Sequence, residues 1–194
     1  MLQEDVKNLL LKTARDMIEC SLIDDGSCEK KILSSELVYR RYPELFDHCG
    51  VFVTLKISDP VVGEGLRGCI GSIIGRESLY EGVKRFSSEA AFNDPRFNPV
   101  TEDELSWITI EISVLTPPER ALSTDDIVLG QDGVILNYQG RVAVFLPQVA
   151  TEEGWDKATM LQHLSLKAGL PEDTWKDPDC FFTIFQAEIF SEEE

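Results

Sequence analysis

The feature that most constrains the fold is an alternation of apolar and polar side chains over residues 107–115. Successive side chains of an extended chain point to opposite faces, so the apolar residues share one face of a strand and the polar residues share the other. The apolar set is Ile108, Ile110, Ile112 and Val114, and the polar set is Thr109, Glu111 and Ser113. One buried face and one polar face are typical of a strand in an antiparallel sheet.

Hairpins and helices alternate along the rest of the chain. β-branched and apolar runs bounded by turn residues predict strands, and apolar residues at helical spacing predict helices. The predicted strands are 51–57, 66–74, 133–138, 141–146 and 180–190, and the predicted helices are 4–20, 78–92 and 156–168. Because this order contains no regular βαβ repeat, we predict an α+β fold with a largely antiparallel or mixed sheet flanked by helices.

Length and charge limit the classes of partner. A chain of 194 residues is typical of one domain, and its 18 basic and 35 acidic residues give a formal net charge of -17. This charge argues against nucleic acid and against an anionic membrane surface as partners. No apolar run approaches the ~20 residues of a membrane span. The first five residues carry acids where a secretory signal carries bases, so we predict a cytoplasmic protein.

The cysteine and histidine counts restrict the possible chemistry. Five cysteines are widely spaced, with no C-x-x-C pair, and the chain has only two histidines. This pattern favours neither a disulfide framework nor a zinc site. We therefore predict no metal site, and the sequence indicates no cofactor.

The hexapeptide Leu66-Arg67-Gly68-Cys69-Ile70-Gly71 is the most distinctive motif. A nearby cation such as Arg67 favours the thiolate form of a cysteine, so Cys69 is a candidate reactive thiol. The alternative is that Cys69 is a small buried hydrophobic residue, the commoner role of an unpaired cysteine. Arg67 has two interpretations as well: it binds a carboxylate or phosphate ligand, or it pairs with a structural acid such as Glu111 or Asp94.

This hexapeptide matches the signature of the AMMECR-type family, and other segments are similar to that family in the same order. They are Gly50 to Leu55, Ala91 to Phe97, Glu111 to Leu115, Phe145 to Ala150, Glu153 to Asp156 and Lys167 to Pro171. The resemblance covers about residues 50–190. One departure is Ser165, which stands where many members have a cysteine, so a mechanism that needs two thiols is not expected here.

The resemblance implies a single α+β domain over residues 1–194, with a larger and a smaller lobe and no linker between independent domains. It implies no settled activity. In some prokaryotes the family is associated with a Memo-like protein and a radical-SAM protein, which makes these two the candidate protein partners.

Two functions are compatible with the motif. The first is a binding or accessory module, in which a cleft at the signature between the lobes holds an anionic small molecule, a peptide or a partner protein. Its candidate ligand-binding residues are Arg67, Gly68, Gly71, Asp94, Arg96 and His163. The alternative is an enzyme that uses Cys69 as a nucleophile or redox thiol, with Arg67 and Glu111 as the other candidate catalytic residues. His163 is a further candidate acid or base in that case.

Overall fold

A computed structural model describes residues 1–22, 32–60 and 63–192. The chain divides into two compact units, Met1–Val114 with Glu188–Glu194, and Leu115–Ala187. Each unit combines helices with antiparallel strand pairs, so the predicted α+β class is confirmed. The single domain with two lobes stays a prediction.

In the residues that the structure describes, the first unit contains a sheet and three α-helices, two of which match the predicted helices 4–20 and 78–92. Its elements are α1 (Glu4–Leu22), α2 (Ser35–Arg41), β1 (Val51–Asp59), β2 (Gly63–Ser72), α3 (Leu79–Phe92) and β3 (Ile108–Leu115). Short 3-10 helices span Pro43–Phe46 and Glu102–Trp107. β1 pairs antiparallel with β2 on one side and with β3 on the other, which confirms the predicted hairpin.

The helices of this unit bury one apolar face each. α1 turns Val6, Leu10, Ala14 and Ile18 inward at a spacing of four residues, as the 3.6-residue period requires. α3 begins after Ser78, whose hydroxyl accepts a hydrogen bond from the Glu81 amide. Among the described residues, no helix combines the length and apolar character that crossing a membrane requires.

The two faces of β1 have different environments. Val51, Val53 and Leu55 are buried in the core with α1 and α3, whereas Phe52, Thr54 and Lys56 alternate with them on the opposite, outer face. Register places Thr54 beside Cys69 of β2 and Glu111 of β3, so these three residues form one row on that outer face. The alternating polar side chains of β3 therefore lie on the face that also carries the signature cysteine.

The second unit has its own sheet and core. Its elements are β4 (Glu119–Arg120), β5 (Asp132–Tyr138), β6 (Arg141–Phe145), α4 (Val149–Glu152), α5 (Lys157–Lys167) and the first part of β7 (Phe181–Ser191). β7 pairs antiparallel with β4 and β5, and β5 pairs with β6 through a turn at Gln139-Gly140, as predicted. Asp156 caps the start of α5, since its carboxylate accepts the Thr159 amide at 2.8 Å, and α5 contributes Leu161 and Leu164 to the core.

Some features of the structure were not predicted. β4 and α4 comprise two and four residues, too few for a periodic pattern to show in a sequence. The cysteine pattern also did not indicate the disulfide in which Cys20 takes part. β2 begins at Gly63 rather than at the predicted Leu66.

Candidate functional site

The signature lies on β2, at the edge of the sheet β2–β1–β3. Gly68 pairs with Leu55 and Leu66 pairs with Lys56, so Arg67 is the extra residue of a β-bulge. A bulge re-aims the side chains around it and bends the strand. The bulge thus sets Leu66 and Arg67 apart from the regular alternation of the strand.

Asp94 and Arg96 hold the backbone of Cys69 at this sheet edge. The buried Asp94 carboxylate accepts the Cys69 amide at 2.9 Å, and Arg96 Nη2 donates to the Cys69 carbonyl at 3.2 Å. Arg96 also binds both oxygens of Asp94, at 2.9 Å from Nε and 2.7 Å from Nη2. These hydrogen bonds, foremost those from Arg96, hold the pKa of Asp94 far below its usual range. Asp94 and Arg96 thus supply partners for the Cys69 amide and carbonyl, which would otherwise be unpaired at the edge of the sheet.

The Cys69 side chain is half-buried on the outer face. Its Sγ accepts a hydrogen bond from Thr54 Oγ1 at 3.3 Å. Glu111, in register with Thr54, binds Lys56 Nζ at 2.6 Å. The structure therefore brings two of the three candidate catalytic residues, Cys69 and Glu111, into one row, with Thr54 between them. Their role in catalysis stays a prediction.

Arg67 pairs with Glu104, and not with the two acids that we named from the sequence. Arg67 Nε lies 2.6 Å from Glu104 Oε1, and Nη2 lies 3.0 Å from Oε2. The side chain of Arg67 is only 11% exposed, and its Nη1 is buried without a hydrogen-bond partner in the described part of the chain. Hydrogen bonds from Arg67 and from Thr101 lower the pKa of Glu104. The guanidinium is thus engaged inside the protein.

The signature glycines allow close packing. A Cβ at Gly68 would lie 2.2 Å from the carbonyl oxygen of Ala90 in α3, and a Cβ at Gly71 would lie 2.4 Å from the ring of Phe52. Both positions therefore need glycine for contacts inside the first unit. Ligand contact by either glycine stays a prediction.

His163 belongs to the second unit, on α5, and its side chain is exposed. Its ring stacks on Trp155 with centroids 4.2 Å apart. In the same helix Ser165 is fully buried, and its hydroxyl donates to the Leu161 carbonyl at 3.0 Å. Ser165 therefore serves internal packing and a hydrogen bond within its own helix.

A cavity of about 550 Å³ opens beside the signature strand in the first unit. Its lining residues are Lys56, Ile57, Ser58, Glu64, Gly65, Leu66, Thr109 and Ser191. Leu66 is the signature residue in this lining, and it is in register with Lys56, which in turn pairs with Thr109. Sequence reasoning missed this site because the lining residues are brought together by the bulge and by the chain end. We call it the bulge cavity.

The described residues show no ready-made metal site. Across residues 1–22, 32–60 and 63–192, no group of three or more histidine, cysteine, aspartate or glutamate side chains is placed to hold a metal ion. The bulge cavity brings opposite charges, hydroxyl groups and apolar surface together in one concave space, which are features typical of ligand sites.

Comparisons with known proteins agree on one family. The AMMECR1 family profile matches residues 11–190. Protein MK0488 of Methanopyrus kandleri is 39% identical over 193 residues, covering 95% of this chain and 87% of that protein. A protein of Thermococcus gammatolerans is 43% identical over 156 residues, covering 78% of this chain and 76% of its own. The crystal structure of uncharacterized protein PH0010 from Pyrococcus horikoshii matches with a TM-score of 0.83 and 37% identity, over 99% of this chain and 94% of that one.

Proposed function

Because this chain belongs to the AMMECR1 family, and because the names of the matched relatives state no activity, we propose a function from the geometry of its own site. The protein is a binding or accessory module. It captures a small molecule or a segment of a partner protein in the bulge cavity. The observation that carries this proposal is the presence of that cavity directly beside the signature strand.

The lining of the bulge cavity indicates the kind of ligand. Ile57 and Leu66 supply apolar surface, and Lys56 and Glu64 supply opposite charges. Lys56 Nζ already binds Glu111, yet its side chain is 55% exposed and an ammonium group has three donors. A ligand with an apolar body and both charges would match this lining, as an amino acid or a short peptide does.

In this proposal the signature residues hold the walls of the bulge cavity in place. Arg67 ties the bulge to Glu104, and Asp94 with Arg96 fixes the backbone of Cys69. Arg67 is thus a positioning residue, whereas Lys56 and Leu66 contact the ligand. Direct ligand contacts by Gly71, Arg96 or His163 are separate predictions.

Methyl NMR with two matched peptides tests the proposal. The tripeptide Gly-Leu-Gly has charged ends, and its N-acetylated, C-amidated form has neither charge. We expect the charged peptide to shift the methyl signals of Ile57 and Leu66 saturably, and the blocked peptide to bind several-fold more weakly. Lys56→Gln should weaken binding of the charged peptide about tenfold, because it removes a charge-assisted hydrogen bond.

Lys176→Gln is the matched control. Lys176 is 57% exposed and pairs with Asp173 at 2.6 Å, much as Lys56 pairs with Glu111, but it lies in the second unit. Lys176→Gln should leave binding of the charged peptide unchanged. Absence of saturable shifts at Ile57 and Leu66 with either peptide, or equal effects of the two lysine substitutions, would overturn the proposal.

The partners that we propose follow from charge and family. With a net charge of -17, the ligand is a small molecule or a protein, and neither nucleic acid nor a membrane surface is proposed. The Memo-like and radical-SAM proteins are the proposed protein partners, in the cytoplasm. The enzyme alternative based on Cys69 makes a different prediction, which an alkylation experiment tests.

A further inference from the structure

A second cavity, of about 460 Å³, lies wholly within the second unit. Its walls include Arg120, Ser123, Trp175, Cys180 and Phe182, together with Phe181. It is formed where β4 meets the start of β7: the Ala121 amide donates to the Phe182 carbonyl at 3.0 Å. The 3-10 helix Glu172–Lys176 supplies Trp175. We call it the tryptophan cavity.

The charge in this lining is positive, although the whole chain is strongly acidic. Arg120 is the charged residue among the lining residues, and its guanidinium lies 5.0 Å from the centroid of the Phe181 ring. Stacking on a ring orients a guanidinium while leaving its N–H groups to bind an anion. The nearby carboxylate of Asp126 is engaged, because it accepts the amides of Leu122 and Ser123 at 2.8 and 2.9 Å.

Trp175 adds a second polar feature. Its indole Nε1 is buried and has no hydrogen-bond partner in the part of the chain that the structure describes. A buried donor without an acceptor is unfavourable, so an acceptor supplied by a ligand would stabilise this side chain. Trp175 and Phe182 also give the cavity aromatic surface on which a flat apolar body can pack.

From this combination we propose that the tryptophan cavity binds a small organic anion, an aromatic or aliphatic carboxylate. One carboxylate oxygen pairs with Arg120, the other accepts the Trp175 N–H, and the apolar body packs on the aromatic side chains. This site goes beyond the proposed function, since it shares no residue with the bulge cavity.

Cys180 is a neutral part of the cavity lining. Burial, with a smaller effect of the Asp177 carboxylate, raises the pKa of Cys180 to about 11, so the side chain is a neutral thiol at physiological pH. Arg120 is the charged group in this lining and Cys180 offers no charge, so the carboxylate end belongs at Arg120 and the apolar end near Cys180.

Titration of the ¹⁵N-labelled protein with benzoate tests the proposal. Benzyl alcohol, similar in shape but uncharged, is the matched probe. Trp175→Phe assigns the indole signal of Trp175. We expect benzoate to shift that signal saturably and to bind about tenfold more tightly than benzyl alcohol, because only benzoate forms a charge-assisted pair with Arg120.

Two arginine variants distinguish binding of benzoate in the tryptophan cavity from nonspecific attraction of an anion to an arginine. Arg120→Gln should weaken benzoate about tenfold. Arg85→Gln is the control, because Arg85 also stacks on a ring, that of Phe86 at 4.1 Å, but lies in the first unit; it should change nothing. The proposal is overturned if benzoate leaves the Trp175 signal unmoved up to its solubility limit, if the two probes bind equally, or if both arginine variants behave alike.

Discussion

Arg67 and Glu104 form a two-point ion pair, with Nε 2.6 Å from Oε1 and Nη2 3.0 Å from Oε2. Glu104 also accepts the Thr101 amide at 2.8 Å, as the third residue of a capping box. One carboxylate therefore joins the bulge of the signature strand to the helical turn that precedes β3. Arg67, the basic residue of the signature, therefore stabilises the strand that lines the bulge cavity.

Glu104→Gln should cost about 2 kcal/mol at pH 7, since it removes charge-assisted hydrogen bonds from a partly buried arginine. The pKa of Glu104 in the folded protein lies below its ordinary value of about 4.3. Its contribution to stability is thus fully present above about pH 4.3 and is lost as the pH falls through the folded pKa. Urea denaturation of the protein and the variant at pH 7 and pH 3 measures this difference, which should shrink at the lower pH.

The control for this experiment is Glu36→Gln. Glu36 pairs with Arg40 on the surface, where both side chains are more than 70% exposed, at 77% and 73%. An exposed pair of this kind contributes ~0–1 kcal/mol. A Glu104→Gln variant no less stable than Glu36→Gln would show that the Arg67 pair does not hold the bulge.

Arg96→Gln should destabilise the protein by about 3 kcal/mol, because it leaves the carboxylate of Asp94 buried without its cation. Asp94 has a folded pKa far below its ordinary value of about 3.9. Its contribution is therefore present at all pH values above about 3.9 and is lost only as the pH falls toward that low folded pKa. Denaturation of Arg96→Gln at pH 7 and at pH 4.5 should therefore give nearly the same loss of stability. The loss of stability caused by Glu104→Gln, by contrast, should shrink between pH 7 and pH 3.

Arg40→Gln is the matched control for this substitution, since it breaks an exposed pair. The Cys69 amide signal in an NMR spectrum gives a second measurement, because Asp94 accepts that amide. Arg96→Gln should move it, and Arg40→Gln should not. Equal stability of the two variants would contradict the conclusion that Asp94 and Arg96 hold the backbone of Cys69.

Local patterns predicted much of the first unit. The alternation over residues 107–115 gave the right faces of β3 as far as Ile112, although Ser113 is buried and Val114 is only half-buried. The apolar spacing over residues 78–92 gave α3, which Ser78 caps. These features depend on neighbours a few positions apart, where periodicity and capping rules apply directly.

The site itself depends on long-range packing. Arg67 meets an acid 37 positions away, and only the folded path of the chain determines which of several acids that is. The bulge at Arg67 also has no clear residue signal, yet it aligns Leu66 with Lys56 in the bulge cavity. For this reason the motif could be recognised while its contacts could not.

Cys69 should react with iodoacetamide at pH 7 no faster than free cysteine if the protein is a binding module. Burial raises the pKa of Cys49 and of Cys180 to about 11, so these thiols should react about two orders of magnitude more slowly than free cysteine. Their rates should rise with pH up to about 11, and mass spectrometry of the labelled peptides follows each site separately. A rate at Cys69 above that of free cysteine would favour the enzyme alternative.

Gly68→Ala and Gly65→Ala should differ sharply, although both glycines lie on β2. The new Cβ at position 68 would lie 2.2 Å from the Ala90 carbonyl oxygen. The Cβ is fixed to the backbone of β2 and the oxygen belongs to the backbone of α3, so neither atom can move without its strand or helix. Relief requires β2 and α3 to separate, so we expect a loss of about 3 kcal/mol.

At position 65 nothing lies within 4 Å of the place that a Cβ would occupy, and the glycine does not have a positive φ. Alanine there should change stability by no more than about 0.5 kcal/mol, or increase it slightly, because it restricts the unfolded chain. Thermal and urea denaturation of the two variants measure the contrast. If Gly68→Ala were as stable as Gly65→Ala, the glycine of the signature would not serve the contact with α3, and its direct role in ligand binding would become the better explanation.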